Sequence, residues 1–387
     1  MRMVELGSVC EMKNGYAFKS SEFKKSGTPL IRISSFDNGP VYFDDKTVYV
    51  DSSYLKTKSG FKVEKGDVLI ALSGATTGKY GIYTGDEPSL LNQRIGLLKS
   101  GVSEQMNDKF FYYYLSVLKS EILRNAGGAA QPNISTKSIS EFKIPLPPLE
   151  QQKKIAAILD AADAYRQKTK ALIEKYDELT QSLFLDMFGD PVSNSKKLPK
   201  IKLGKLGKWQ SGGTPSRSNS AYYDGEIPWL SSGELNQMYI SDSKEHITEQ
   251  AIKESNTKLI AKGSILLGMY DTAALKSTIN TEVVSCNQAI AYCKLDDRLV
   301  NTSFVYNIIQ IGKEHYRRLQ RGVRQKNLNL SMVKGIEVLF PPIKLQNQFA
   351  DRVQAIEAQK AQAQASLAQA EDLFNSLLQR AFKGELV

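Results

Sequence analysis

The sequence predicts an α+β protein with two globular domains, each followed by a long helix. Three observations predict this class. The stretch "PLPPLEQQKKIA" at 145–156 is nearly repeated as "LFPPIKLQNQFA" at 339–350, an offset of 341 − 147 = 194 residues. After each stretch, apolar residues follow the heptad spacing typical of paired helices. Before each stretch, short apolar runs alternate with turn residues, as β-strands do.

Other landmarks recur in the same order along both halves of the chain. Their offset, 194 to 197 residues, is far longer than the roughly 20–50 residues of solenoid repeats, so a whole module is duplicated. The landmarks are "VEKGDVLIA" (63–71) with "IAKGSILLG" (260–268), Asn92–Gln93 with Asn287–Gln288, and "AQPNIS" (130–135) with "RQKNLN" (324–329).

Two Pro-Pro pairs predict the domain boundaries. Proline is excluded from a helix interior but accepted at its start, so Pro147–Pro148 and Pro341–Pro342 mark two helix beginnings. Gly189 with Pro191 ends the first helix. We expect a domain at 1–146, a long helix at 147–190, a second domain at 191–340 and a second long helix at 341–387.

The heptad pattern predicts which side chains pack between the helices. Each helix spans about 40 residues, or roughly 60 Å at about 1.5 Å per residue. An apolar stripe of that length needs a partner, and the nearest partner is the other helix of the same chain. The expected packing residues include Ile158, Tyr165, Leu172 and Leu179 on the first helix, and Phe349, Ile356, Leu367 and Phe374 on the second.

The net charge of +10 is concentrated in the two globular segments. Residues 1–146 have 19 basic and 15 acidic residues, and 198–340 have 19 and 13, giving +4 and +6. Residues 147–197 and 341–387 are balanced, at 8 against 8 and 5 against 5. Basic domains on neutral connectors suit a polyanion such as DNA. A basic surface that only aids solubility is the alternative.

The composition argues against catalysis, metal binding and secretion. The three cysteines form no CxxC spacing and the two histidines stand apart, so neither a disulfide framework nor a metal site is indicated. The stretch "SGATTGKYG" (73–81) has Ser73 where a nucleotide-binding loop needs glycine. The N-terminus does not resemble a secretory signal, and no apolar run is long enough to span a membrane. We expect a cytoplasmic protein without a metal.

The chain resembles the specificity subunit of type I restriction–modification systems over essentially its whole length. The stretch "IPLPPLEQQKKIA" is similar to the start of the family's conserved helical region. The second copy departs from it, with Lys344–Leu345 in place of Glu150–Gln151. The resemblance also rests on Gly15–Ser20 and Pro29–Ile33 in the first copy, and on Ser211–Pro215 and Ile227–Leu230 in the second.

The resemblance implies a fold and a function. Each globular domain would be a target recognition domain that reads one half of a split, asymmetric site in double-stranded DNA. The two helices would lie antiparallel as an intramolecular coiled coil, in a pseudo-two-fold repeat, and set the distance between the domains. Two methyltransferase subunits and the restriction/translocase subunits would dock on this chain. S-adenosylmethionine, ATP and Mg would be bound by those partners, and this chain would bind no cofactor.

Candidate DNA contacts lie in loops beside the repeated landmarks. Glutamine and asparagine can bond an adenine edge, and arginine can bind phosphate or guanine. The alternative is that these residues form only a solvated helix end or a turn and make no contact with DNA. The candidates are Lys79, Arg124, Asn125, Gln131 and Asn133 in the first copy, and Arg217, Arg317, Arg318, Arg321, Arg324, Gln325, Lys326 and Asn327 in the second.

Two other function classes remain open from the residues alone. One is a two-headed scaffold whose coiled coil recruits partners without DNA recognition. The other is a self-sufficient nuclease or methyltransferase, for which the sequence offers no motif. Salt-dependent retention on duplex DNA would separate DNA recognition from the scaffold.

Overall fold

The computed structural model describes residues 2–99, 105–126, 133–321 and 327–386. The chain divides into two compact units, Met1–Thr169 with Ser366–Val387 (unit 1) and Lys170–Ala365 (unit 2). Each unit contains sheets, short helices and part of both long helices.

Unit 1 contains three sheets, with strand orders β2-β10-β7-β8-β4, β5-β3-β9-β6 and β1-β11. The strands are β1 (Met3–Glu5), β2 (Glu11–Asn14), β3 (Thr28–Ile31), β4 (Gly39–Pro40), β5 (Val48–Val50), β6 (Lys62–Val63), β7 (Val68–Ala71), β8 (Tyr80–Ile82), β9 (Ser89–Leu91), β10 (Ile95–Lys99) and β11 (Lys143–Pro145). The helices are α1 (Tyr54–Thr57), α2 (Asp108–Asn125), α3 (Thr136–Ser140) and the first part of α4 (Leu149–Phe188).

Strand β7 lies at the centre of the largest sheet of unit 1 and is buried on both faces. Successive side chains of a strand point to opposite faces, so its four apolar residues serve two cores. Val68 and Ile70 face the core that contains α2, whereas Leu69 and Ala71 face a smaller core on the other side. Helix α2 begins at an asparagine cap, because the Asn107 side chain accepts a hydrogen bond from the Phe110 N–H at 3.0 Å.

Unit 2 repeats this plan with sheet orders β13-β20-β17-β18-β15, β16-β14-β19 and β12-β21. The strands are β12 (Lys200–Lys202), β13 (Gln210–Ser211), β14 (Tyr223–Leu230), β15 (Tyr239–Ile240), β16 (His246–Ile247), β17 (Ile265–Gly268), β18 (Ser277–Asn280), β19 (Ser285–Cys286), β20 (Ile290–Cys293) and β21 (Glu337–Leu339). The helices are α5 (Glu249–Glu254), α6 (Thr302–Ile311), α7 (Lys313–Arg317), α8 (Leu330–Gly335) and α9 (Ile343–Lys383), which continues into unit 1.

The pairing within the five-stranded sheets confirms that the fold itself is duplicated. In unit 1 the short strand β4 runs parallel to β8, and all other pairs of that sheet are antiparallel. In unit 2, β15 runs parallel to β18 in an otherwise antiparallel sheet. The single parallel pair lies at the same sheet edge in both copies, which chance similarity of two α+β regions would not produce.

The long helices α4 and α9, of 40 and 41 residues, pack against each other in both units. In unit 1, Arg166 of α4 lies over the ring of Phe374, near the end of α9, at 4.3 Å. In unit 2, the Lys360 Nζ of α9 contacts the Asp177 Oδ1 of α4 at 2.5 Å. Because the later part of α4 meets the earlier part of α9, the helices run antiparallel.

The packing positions expected at Ile158, Tyr165, Leu172 and Leu179 are wrong. These side chains are 36%, 55%, 43% and 50% exposed, whereas Leu159 and Thr180, which directly follow Ile158 and Leu179, are buried. Apolar residues occupy neighbouring positions on α4, as at Ile158–Leu159, so the heptad can be placed one residue out of register. On α9, Phe349 and Phe374 are buried and Ile356 and Leu367 are half-buried.

A buried glutamine at the start of each long helix explains the repeated Pro-Pro stretch. The Gln152 Oε1 accepts from the Asn107 N–H at 2.8 Å, and its Nε2 donates to the carbonyls of Gln105 and Pro147 at 2.7 and 2.8 Å. The Gln346 Oε1 accepts from the Asn301 N–H at 3.0 Å, and its Nε2 donates to the Pro341 carbonyl at 2.7 Å. Each glutamine therefore connects a long helix to the capping residue of α2 or α6.

Candidate nucleic-acid interface

Two candidates that the sequence indicated separately, the β7–β8 turn and Asn133, lie side by side in unit 1. The turn between β7 and β8 carries Lys79, and the segment after α2 ends at Asn133. Ser73 and Asn133 pair as an antiparallel bridge, and the Ile134 N–H donates to the Leu72 carbonyl at 2.9 Å. Asn133 therefore lies at the end of the sheet that carries the β7–β8 turn.

The β7–β8 turn has a backbone conformation that fixes the position of Lys79. The Gly78 N–H donates to the Ala71 carbonyl at 2.9 Å, and the Ala71 N–H donates to the Lys79 carbonyl at 2.7 Å. Gly78 has φ of 83°, a left-handed conformation that glycine adopts without strain. The Lys79 Nζ lies 3.1 Å from the Asp37 Oδ1, so an acid of unit 1 partly neutralises it.

Unit 2 builds the same junction from its own turn. Asn327 pairs with both Tyr270 and Arg321, and the Leu328 N–H donates to the Met269 carbonyl at 2.7 Å. The Leu275 N–H donates to the Gly268 carbonyl, and the Gly268 N–H donates to the Lys276 carbonyl, both at 2.8 Å. This is the pattern that Gly78, Ala71 and Lys79 form in unit 1. Lys276 thus takes the place of Lys79. The sequence interpretation missed it, although the 197-residue offset between the Lys-Gly landmarks (63–71 and 260–268) places it there.

The structure places most of the other candidates close to these two junctions. Arg124 and Asn125 are exposed in the last turn of α2, and Asn133 is exposed where the following segment returns. Arg317 ends α7 and pairs with Glu314 at 3.2 Å, whereas Arg318 and Arg321 are exposed. Gln131, Arg324, Gln325 and Lys326 lie outside the described residues.

Arg217 lies elsewhere in unit 2, beside strands β14 and β16. Its two terminal nitrogens contact both carboxylate oxygens of Glu245 at 3.0 and 2.6 Å. The guanidinium also lies over Tyr223 and Trp229, at 4.6 and 5.2 Å from the ring centres. The hydrogen bonds to Glu245 raise the pKa of Arg217, and the same bonds lower the pKa of Glu245. Arg217 is therefore held by its own unit in this conformation.

Two lysines on the helices after the sheets were also missed. Lys119 of α2 donates to the Asn38 Oδ1 at 3.4 Å. Lys313 of α7 is half-buried, and burial, followed by the nearby cations Arg317 and Lys276, lowers its pKa. Both lysines lie 12 residues after a capping asparagine (119 − 107 and 313 − 301). Alignment of the two copies would therefore have identified them as equivalent positions.

The three cysteines are not activated as nucleophiles, and the described residues contain no metal-binding group. Burial raises the pKa of the Cys10 and Cys293 thiols to about 12, and burial also raises the pKa of Cys286. These cysteines are therefore protonated at neutral pH and weakly nucleophilic. No group of His, Cys, Asp or Glu in the described part of the chain is placed to hold a metal ion.

The type I restriction modification DNA specificity domain matches this chain twice, at residues 1–176 and 196–371. The chain belongs to that family. It is therefore a DNA sequence-specificity subunit of a type I restriction–modification system, the recognition component and not an enzyme. Family membership leaves no support for the two-headed scaffold without DNA recognition.

Relatives and solved structures of type I specificity subunits cover the whole chain. The EcoBI specificity subunit of Escherichia coli is 25% identical, over 99% of this chain and 85% of its own length. The MjaVIII specificity subunit of Methanocaldococcus jannaschii is 31% identical over 47% of this chain and 45% of its own. The crystal structure of the S subunit from M. genitalium matches with a TM-score of 0.61 at 16% identity, covering 98% of this chain and 96% of that one. None of the described helices of this family member is long and apolar enough to cross a membrane.

Proposed function

We propose that residues 1–146 and 191–340 each read one half of a bipartite DNA site, and that the helices at 147–190 and 341–387 set the spacer. The observation that carries this is the repeated junction of a β-turn with a returning loop. The backbone hydrogen bonds of the two junctions agree, while the side chains differ, as at Gly78 and Leu275. Two domains with the same backbone arrangement but different side chains can approach DNA in the same way and still recognise half-sites of different sequence.

The proposed DNA contacts are the basic and amide candidates that the sequence indicated in each copy. Arginine and lysine would bind phosphate and fix the register, and amides would reach base edges. In unit 1 these are Lys79, Arg124, Asn125, Gln131 and Asn133, and in unit 2 Arg317, Arg318, Arg321, Arg324, Gln325, Lys326 and Asn327. Arg217 would have to break its ion pair with Glu245 before it could bind phosphate. We therefore propose that its main role is to stabilise unit 2.

Docking of two methyltransferase subunits and of restriction/translocase subunits is the second part of the proposal. Exposed apolar side chains on α4 support it, with Ile158 and Tyr165 in unit 1 and Leu172 and Leu179 in unit 2. Large exposed apolar side chains that recur on a helix are typical of a surface covered by a partner. S-adenosylmethionine, ATP and Mg would be held by those partners, in the cytoplasm.

Mapping methylated sites in cells that carry this chain with its partner subunits tests the proposal. We expect one asymmetric, two-part sequence with a constant spacer. Exchange of residues 198–340 for the matching part of a relative should alter one half of that sequence. A change in both halves would contradict independent reading by the two domains.

A further inference from the structure

The turn lysines Lys79 and Lys276 have different partners in the two units. The Lys79 Nζ contacts the Asp37 carboxylate at 3.1 Å, whereas the Lys276 Nζ donates to the Asn236 side-chain carbonyl at 2.8 Å. The first contact partly neutralises the lysine charge, whereas a neutral amide does not. The partner's position is therefore kept while its charge changes by one.

Strand register shows that Asp37 and Asn236 are equivalent positions. Pro40 of β4 pairs with Ile82 of β8, and Tyr239 of β15 pairs with Ile279 of β18. The residues three positions earlier are Asp37 and Asn236. Both lie just before the parallel edge strand, beside the turn that carries the lysine.

The surroundings of the two turns increase this difference. In unit 1, Lys119 contacts Asn38, next to the acid that pairs with Lys79. In unit 2, burial lowers the pKa of the equivalent Lys313, and Arg317 and Lys276 lie close enough for both cations to lower it further, while Glu314, which raises it, pairs with Arg317 at 3.2 Å. Lys276, Lys313 and Arg317 therefore lie close together in unit 2, and a cluster of cations attracts an anion.

We propose that unit 2 binds DNA phosphate more strongly than unit 1, and that the residue at position 37 or 236 sets this difference. The inference rests on the proposed DNA-reading function. A phosphate that approaches Lys79 must compete with Asp37 and is repelled by it, while a phosphate at Lys276 meets a neutral amide. Release of counterions when phosphate binds Lys276 then adds to affinity and salt dependence.

Reciprocal exchange of the two residues in the full chain tests the inference. Binding would be measured against salt concentration on a fluorescently labelled duplex of random sequence. Asn236→Asp should weaken binding roughly five-fold at low salt, about the effect of one added charge at contact distance. It should also reduce the slope of log affinity against log salt by roughly 0.9. Asp37→Asn should change both quantities in the opposite direction.

Two matched controls separate a local contact from overall charge. Asp86→Asn removes an acid that pairs with Lys65 at 2.6 Å in unit 1, away from the turn. Gln359→Glu adds an acid at an exposed position of α9 in unit 2. Both should leave the salt slope close to that of the unchanged chain. Thermal melting of each variant verifies that it is folded.

The outcomes separate this inference from the function on which it rests. If the unchanged chain binds with a steep salt slope but neither exchange alters it, position 37 or 236 has no such role and DNA reading stands. Equal effects of the exchanges and their controls would likewise overturn the inference. If the unchanged chain, alone and with its partner subunits, shows no salt-dependent binding, the proposed function itself fails.

Discussion

The Gln346 side chain accepts a hydrogen bond from the Asn301 backbone N–H at 3.0 Å, and thereby joins the start of α9 to the cap of α6. Asn301 in turn accepts from the Ser303 N–H at 2.9 Å. Gln152 makes the same connection to Asn107 in unit 1, at 2.8 Å. One buried amide in each unit thus fixes how a long helix leaves the globular region.

Replacement of Gln346 by leucine should destabilise unit 2 by about 2–4 kcal/mol. Burial of an unpaired polar group costs about 1–3 kcal/mol, and this change leaves the Asn301 N–H and the Pro341 carbonyl without their partner. Denaturant unfolding would measure the loss. Gln348→Leu is the control, because Gln348 is exposed two residues later on the same helix. Equal stability of the two variants would contradict the structural role of Gln346.

The pair of Arg217 and Glu245 should show a pH-dependent coupling energy. A double-mutant cycle with alanine at both positions should give about 0.5–1 kcal/mol at neutral pH, since the pair is exposed. Because Arg217 lowers the folded-state pKa of Glu245, this stability is present above the ordinary carboxyl range and is lost as pH falls through the lowered value. A coupling that did not change between neutral and strongly acid pH would show that packing on Trp229 dominates.

Simultaneous alanine substitution of Arg318 and Arg321 should weaken DNA binding similarly on all sequences. Each lost phosphate contact should lower the salt slope by roughly 0.9. Titration of a labelled duplex at several salt concentrations provides the measurement. Arg298→Ala is the matched control, because Arg298 is exposed and pairs with Asp296 at 2.7 Å. If the slope of log affinity against log salt did not change, these arginines would not contact phosphate.

Insertion of one heptad after Leu172 in α4 and another after Ala365 in α9 should lengthen the spacer of the recognised site. Seven helical residues add roughly 10 Å, or about three base pairs. Matched insertions keep the antiparallel partners in register. Methylation mapping in cells reads the spacer directly. An unaltered spacer would mean that the helices do not set the distance.

Glutamate at Tyr165 should leave unit 1 folded and reduce co-purification with the methyltransferase subunit. The side chain is 55% exposed, so folding does not require its burial. A charge placed in a covered apolar surface is costly. Gln167→Glu adds the same charge at an exposed polar position of α4. Undiminished assembly of the Tyr165 variant would show that partners dock elsewhere.

The sequence predicted the duplication and the stripe of α9, but on α4 it assigned every second position of the stripe one residue too early. On α9, Phe349, Val353 and Ile356 have small or polar residues on both sides, so one register is clearly favoured. On α4, Ile158–Leu159 and Leu172–Ile173 offer two registers about 100° apart. Only the packing of the surrounding core decides between them.

The sequence could identify the candidate loops but not the partners of their side chains. Lys79 was recognisable as a turn lysine, whereas its contact with Asp37 depends on the parallel pairing of β4 with β8. Likewise, Glu245 lies 28 residues after Arg217 and reaches it only through the sheet of β14 and β16. Contacts across a sheet depend on register, which local patterns do not specify.

The C-terminal part of α9 belongs to the core of unit 1. Phe382 lies against Phe110 and Tyr114, with ring centres 5.3 and 4.9 Å apart. During synthesis on the ribosome, unit 2 can fold from contiguous residues. The N-terminal part of unit 1, in contrast, lacks Phe382 until α9 has been made. The globular part made first can therefore complete its core only after α9 has been made, and until then a chaperone or protease would meet it partly folded.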